Sequence, residues 1–208
     1  YLGVPFHFVW RYDSRGRSYS SGYDLNLQSN EYGKSLLSLH EKEFIADNGI
    51  ANLYIAIANH AGKGNLTWQE RMDWASKQNY GLIDWKEPIL GRKAVRALKD
   101  TCEDRPSGYV MSVDATSSGL QVMAAVSGCR KTAELVNMVD PTTRRDVYTE
   151  IADLMNAQLP KPVPRKIAKQ VAMTHYYNSK ATPKALLKKH ELSVFYEVIQ
   201  GLLPAAES

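Results

Sequence analysis

A chain of 208 residues with 44% hydrophobic and 23% charged side chains has the make-up of a folded globular protein and excludes a disordered one. No apolar run approaches the length of a spanning helix, which sets aside a helical membrane protein, and no signal-like start suggests export. The net charge of +4 suits a polyanionic partner without requiring one, and two cysteines, Cys102 and Cys129, are too few for a disulfide framework and lack metal-knuckle spacing, so a reducing, cytoplasmic setting is expected.

The chain opens at Tyr1 rather than at a methionine, and we expect it to be a piece of a longer polypeptide. Its first 23 residues interleave aromatic and basic side chains: Phe6, Phe8, Trp10, Arg11, Tyr12, Arg15, Arg17, Tyr19 and Tyr23. Aromatic faces stack bases and guanidinium groups bind phosphate oxygens, so this is the make-up of a nucleic-acid surface; burial explains the aromatics equally well. Within it, Asp13-Ser14-Arg15-Gly16-Arg17 sets a glycine between two arginines. Without a β-carbon at Gly16 the backbone can turn so that a guanidinium and nearby amides face one phosphate.

Residues 41–62 predict a helix, with Phe44, Ile45, Leu53, Ile55 and Ile57 apolar and Asn48-Gly49 as a break. Thr67-Trp68-Gln69-Glu70 is a capping box and opens a second helix. A third is predicted over residues 85–103, after Pro88. Its apolar face carries Leu90, Ala94, Val95, Ala97 and Leu98, and its basic face Arg92, Lys93, Arg96 and Lys99; that basic face could meet nucleic acid, but a charged solvent face is the better default.

Next comes the centre of the chain. Residues 109–113, Tyr-Val-Met-Ser-Val, follow Pro106-Ser107-Gly108 and predict a buried strand. Asp114 ends it, Ala115-Thr116-Ser117-Ser118-Gly119 turns the chain, and Leu120 to Val126 has the residue types of a helix stopped by Gly128. A carboxylate at a strand end is held in direction, and small residues beside it leave room for a bulky polyanion and its metal. Mg²⁺ suits such a position, because it takes oxygen ligands and is held by one or two carboxylates plus substrate phosphates. The other reading of Asp114 is an ordinary helix cap.

Asp140-Pro141-Thr142-Thr143 predicts a helix start, with Val147, Ile151, Leu154 and Met155 recurring at helical spacing up to Leu159. Pro160, Pro162 and Pro164 form a stiff linker, and Pro164 opens a helix over residues 165–177. On it Arg165, Lys169, Met173 and Tyr177 are spaced by four, so they form one stripe roughly 18 Å long. Two cations lie toward the positive end of the helix dipole and an aromatic hydroxyl lies at the far end. Such a stripe can hold a nucleoside triphosphate lengthwise; an amphipathic helix with solvated basic residues is the plainer reading. Thr182-Pro183 predicts a further helix start, and residues 192–203 a last amphipathic helix.

Three segments in this order resemble one family, the single-subunit, bacteriophage-type DNA-directed RNA polymerases. Asp13-Ser14-Arg15-Gly16-Arg17 is similar to their D-x-x-G-R motif, with Gln28, Lys34, Leu36 and Leu37 continuing the likeness. Asp114-Ala115-Thr116-Ser117-Ser118-Gly119-Leu120-Gln121 resembles motif A, and Arg165, Lys169, Met173, Tyr177 and Ser179 fall on motif B of the fingers helix. Asn178 departs from the glycine that usually follows the motif B tyrosine.

The resemblance implies a mostly helical α+β fold, with a palm-like portion over residues 1–140 that includes a helical insertion and a small sheet carrying the catalytic aspartate, and a fingers-like portion over residues 141–208. It implies a two-metal nucleotidyl transfer using two Mg²⁺ ions, with Asp114 as metal ligand and catalytic residue. Lys169 and Arg165 would clamp the triphosphate, Tyr177 would discriminate the sugar, and Arg17 with Gly16 would contact the hybrid or the active-site network. The implied partners are DNA template, RNA product and NTPs, without a membrane, in the cytoplasm (the host's for a phage enzyme). The family's second catalytic aspartate follows motif B at long range and is not in this sequence, so the chain alone is expected to be inactive. The remaining polymerase, or a second subunit, would supply that carboxylate. A family-A DNA polymerase fragment is the near alternative, although that family usually carries an aromatic residue where Met173 stands. A non-catalytic helical nucleic-acid-binding module is the distant one.

Overall fold

The computed structural model describes residues 3–14, 17–23, 25–140 and 142–204. Chain contacts divide it into two compact units, Tyr1–Val113 and Asp114–Ser208, and each is built mainly of helices. The mostly helical α+β class expected from the sequence is what forms. No helix among the described residues is long and apolar enough to cross a membrane.

In the first unit, β1 (Val9–Tyr12) and β2 (Ser18–Ser21) pair antiparallel with Val9 opposite Ser21 and Tyr12 opposite Ser18. Asp13 closes the hairpin: its amide donates to the Arg17 carbonyl at 3.0 Å and its carboxylate accepts from the Arg17 amide at 3.0 Å. Phe6, Phe8 and Trp10 meet edge to face along the ribbon. Ser20 is buried and ties down the following loop, its amide donating to Gln28 Oε1 at 3.1 Å.

The core of this unit lies among α2 (Asp47–His60), α3 (Trp68–Ser76) and α4 (Pro88–Cys102), where Leu53, Ile57, Ala75, Ala94, Ala97 and Leu98 are buried. Alanines at these positions let the helices approach closely, and Gly91 is needed because a β-carbon there would stand 2.2 Å from the Trp85 ring. The capping box is present, with Glu70 and Thr67 satisfying each other's amides. The short α1 (Glu31–Ser35) packs on α4, and the Glu31 carboxylate accepts from the amides of Ile89 and Leu90, two of the unpaired donors that open α4.

The second unit contains α5 (Ser118–Ser127), α6 (Arg130–Leu135), α7 (Val147–Asn156), α8 (Arg165–Tyr176), α9 (Ala181–Leu186) and α10 (Lys189–Leu202). Helix α7 packs on α8 and α10 around the fully buried Ile151, Met155, Val171 and Phe195. Between α7 and α8, Val163 is buried among the prolines, and its amide donates to Asn156 Oδ1 at 2.6 Å.

Three elements differ from the sequence expectation. Residues 109–113 are not in a sheet, and the two-stranded ribbon of β1 and β2 does not carry Asp114. A strand needs a ladder partner; among the described residues the segment has none, the nearby pairing being a single Glu43–Ser107 bridge, and Val113 is 89% exposed. Helix α2 starts at Asp47 rather than at residue 41. Helix α7 starts at Val147, capped by Asp146, because the Asp140 carboxylate instead closes a turn by accepting from the Thr142 amide and the hydroxyls of Thr142 and Thr143.

Candidate functional site

Asp114 opens the second unit as an exposed carboxylate, and no hydrogen bond or ion pair among the described residues engages it. The turn behind it is firmly tied. The Thr116 hydroxyl donates to the Val136 carbonyl at 3.2 Å, and Gln121 Nε2 donates to the same oxygen at 2.8 Å. Asn137, at φ +62°, ties that loop onward, donating to the Arg145 carbonyl at 2.9 Å and accepting from the Arg145 amide at 2.6 Å. Ser117 is 7% exposed, and its hydroxyl is without a hydrogen-bond partner. Two chain crossings thus hold the turn that presents Asp114, which matches what a metal-bearing carboxylate requires of its support.

Helix α8 lies in the same unit and meets α5. The Tyr177 hydroxyl lies 3.5 Å from where a β-carbon on Gly119 would stand, so the first turn of α5 and the end of α8 meet at these two residues. Asn178 then takes the left-handed conformation, φ +61°. Its amide donates to the His175 carbonyl at 2.8 Å and the Ser179 amide donates to the Thr174 carbonyl at 2.9 Å, which together make a Schellman cap. Asparagine is the side chain that best tolerates this backbone after glycine, so the departure at Asn178 keeps the turn.

The basic residues at the start of α8 are held by α7. Arg165 Nε donates to Asp146 Oδ2 at 2.9 Å and to the Thr149 hydroxyl at 3.0 Å. Asp146 also caps α7, accepting from the amides of Tyr148 and Thr149. Partial burial pushes the Asp146 carboxyl up, but the hydrogen bond from Arg165, the Thr149 amide and the charge of Arg165 outweigh it and hold the group below its ordinary value. Lys169 Nζ stands 5.5 Å from the centre of the Tyr148 ring, a cation–π contact. Burial raises the Tyr148 hydroxyl, with the neighbouring Tyr177 and Asp146 adding to the shift. Met173 and Tyr177 remain exposed on the same stripe.

Asp114, Arg165, Lys169 and Tyr177 therefore all belong to one unit, and Tyr177 touches the segment that Asp114 begins. Arg17 belongs to the first unit, where it closes the β1–β2 hairpin, and Gly16 lies outside the described residues. Sequence reasoning missed Asp146, Tyr148 and Thr149, which form the wall behind Arg165 and Lys169. The signal was present in Asp146, a capping residue immediately before the apolar positions 147, 151 and 155.

This unit thus combines one exposed carboxylate at the head of a tied turn with a helix bearing two cations and a tyrosine. A family model described as DNA-dependent RNA polymerase matches residues 93–190 of this chain. A probable DNA-directed RNA polymerase of Neurospora crassa is 33% identical over 160 residues, covering 70% of this chain and 18% of the relative. The DNA-directed RNA polymerase of Pseudomonas phage phiKMV is 28% identical over 178 residues, covering 76% of this chain and 22% of its own length. A mitochondrial DNA-directed RNA polymerase of Neurospora crassa is 28% identical over 211 residues, covering 85% and 15%. The chain thus spans about a fifth of the length of the curated relatives it matches.

Proposed function

We propose that this chain is part of a DNA-directed RNA polymerase and supplies one side of its nucleotide site. The observation that carries this reading is the meeting of Tyr177 with Gly119, which brings the end of the basic stripe to the turn begun by Asp114. The reaction joins an RNA 3′-oxygen to the α-phosphorus of an NTP, breaks the bond to the bridging oxygen, releases pyrophosphate and passes the hydroxyl proton to solvent or a base. DNA is the template, and the cytoplasm, the host's for a phage enzyme, is the setting.

In this reading Lys169 and Arg165 take the triphosphate oxygens, with Arg165 exchanging the Asp146 carboxylate for phosphate. Tyr177 borders the ribose, and the bare backbone at Gly119 leaves space beside its hydroxyl. Arg17, with Gly16, contacts the hybrid. The functional division remains palm-like to residue 140 and fingers-like from 141.

For Mg²⁺ the fit is partial. Asp114 offers one oxygen ligand, but the described residues contain no group of three acidic, histidine or cysteine side chains that could hold an ion. Asp114 would hold Mg²⁺ as one carboxylate ligand, and the bound metal would supply Lewis-acid chemistry at the 3′-hydroxyl and the leaving phosphates. The remaining carboxylate would come from the rest of the polymerase or a second subunit.

The test is primer extension by the complete polymerase containing this chain, with NTPs and dNTPs compared. Tyr177→Phe is expected to narrow the preference for ribonucleotides. Unchanged rejection of dNTPs in that variant overturns the role of Tyr177, and extension by dNTPs in preference to NTPs in the parent overturns RNA synthesis.

A further inference from the structure

The first unit contains a pocket of about 500 Å³ that the nucleotide site does not use. Its walls are the end of α1, the loop through Ser38 and Lys42, one face of α4, and residues 106–109. Four cations line it: Lys42, Arg92, Lys93 and Arg96. They do not have equal roles. Lys93 is half-buried and spends its ammonium on the carbonyls of Ser35 (2.8 Å) and Leu37, and burial holds its pKa below the ordinary lysine value. It is a fastener between α4 and the segment after α1.

Lys42, Arg92 and Arg96 are different. All three are exposed, and none of them pairs with a carboxylate among the described residues. The one acid on the lining, Asp100, is already taken, since Arg105 Nε donates to its Oδ1 at 3.0 Å. Elsewhere on α4 the surface charge is neutralised, as where Lys99 pairs with Glu103. Three cations without a carboxylate partner among the described residues therefore line the pocket. Arg92 and Arg96 stand four residues apart, about 6 Å along the helix, and Lys42 faces the same space from a separate segment. Cations spread over two walls serve several phosphates better than one.

We propose that this pocket holds the phosphate backbone of a single nucleic-acid strand. A duplex presents its phosphates on a convex cylinder, whereas one strand can bend into a concavity of this size. Guanidinium groups in such a groove bind phosphate oxygens bidentately without reading sequence. The assignment stands apart from the Asp114 reading, because every residue it uses lies in the first unit.

The experiment is fluorescence anisotropy of the full 208-residue chain with a labelled single strand of about a dozen nucleotides, over a salt series. The double variant Arg92→Gln/Arg96→Gln is expected to weaken binding several-fold and to lower the slope of log affinity against log salt by about 1.4, since each lost phosphate contact on a single strand removes about 0.7. Arg92→Lys/Arg96→Lys keeps the slope, and Lys99→Gln, on the same helix outside the pocket, keeps both affinity and slope. Affinity and slope unchanged in the double glutamine variant overturn the proposal, as does an equal loss in Lys99→Gln. Displacement of the strand by ATP at matched phosphate concentration makes the pocket a nucleotide site and overturns the strand. A duplex bound equally well, with the same dependence on the two arginines, does so too. A separate readout keeps the two readings distinguishable: normal turnover of the complete polymerase carrying Asp114→Asn, beside intact strand binding by this chain, sinks the Asp114 site alone.

Discussion

Gly119 and Tyr177 lie 58 positions apart in the chain, yet the tyrosine hydroxyl comes within 3.5 Å of the place a β-carbon on the glycine would occupy. That distance is an ordinary contact, so Gly119→Ala fits without moving the backbone. Alanine also loses less backbone freedom in a helix, and the variant is expected to be as stable as the parent or more so by up to about 0.5–1 kcal/mol. Its methyl group fills the space beside the hydroxyl, so KM for NTPs in the complete polymerase should rise while the melting temperature holds. A fall in Tm with unchanged KM would mean that the glycine serves packing alone.

Asp114 is exposed and engages no described neighbour, so Asp114→Asn removes no packing and no ion pair. Thermal unfolding of the chain should change by no more than about 0.5 kcal/mol. Nucleotide addition by the complete polymerase should be abolished with template binding kept, because an amide is a poor substitute for an anionic metal ligand. Normal turnover in this variant refutes the metal role.

Asp146 both caps α7 and pairs with Arg165, and Asp146→Asn separates the two roles, since asparagine is an equally good cap but carries no charge. The folded carboxyl lies below its ordinary value of 3.8. The pair's contribution is therefore complete above that ordinary value and is lost as pH falls through the lowered one. Both partners are partly exposed, so the contribution is about 0.2–1 kcal/mol and smaller in high salt. Denaturant midpoints of parent and variant should differ near neutrality and converge in acid below pH about 4. A gap that persists in acid excludes the ion pair as its cause.

Much of the helical framework was legible because its signals are local. The Thr67–Glu70 box, Pro88 at the head of α4 and Gly128 after α5 each act through backbone groups a few residues away. The start of α7 was misplaced because Asp140 and Asp146 offer the same capping chemistry, and only the apolar phase of Val147, Ile151 and Met155 selects the second. The expected strand at residues 109–113 has the right side chains, but a strand is made by its partner, and β-branched residues cannot supply one. The stripe on α8 was readable from spacing alone. Its pairing with α7 was not, since Arg165 and Asp146 are 19 residues apart and meet only when the helices pack.

Asn178 gives the sharpest test of local backbone strain. It sits at φ +61° as the left-handed residue of the Schellman cap that ends α8 just after Tyr177. Left-handed backbone costs an ordinary L-residue about 1–2 kcal/mol, asparagine less, and glycine almost nothing. Asn178→Gly is therefore expected to leave stability within about 1 kcal/mol of the parent, relief of strain opposing the greater freedom of the unfolded chain. Asn178→Ala should destabilise by about 1 kcal/mol, since alanine keeps the β-carbon and loses the polar side chain that tolerates this conformation. Because the cap fixes the direction in which Tyr177 leaves the helix, the alanine variant should also lose discrimination between NTPs and dNTPs in the complete polymerase, and the glycine variant should retain it. Loss of discrimination in the glycine variant, with stability preserved, would mean that the asparagine side chain itself contacts the nucleotide.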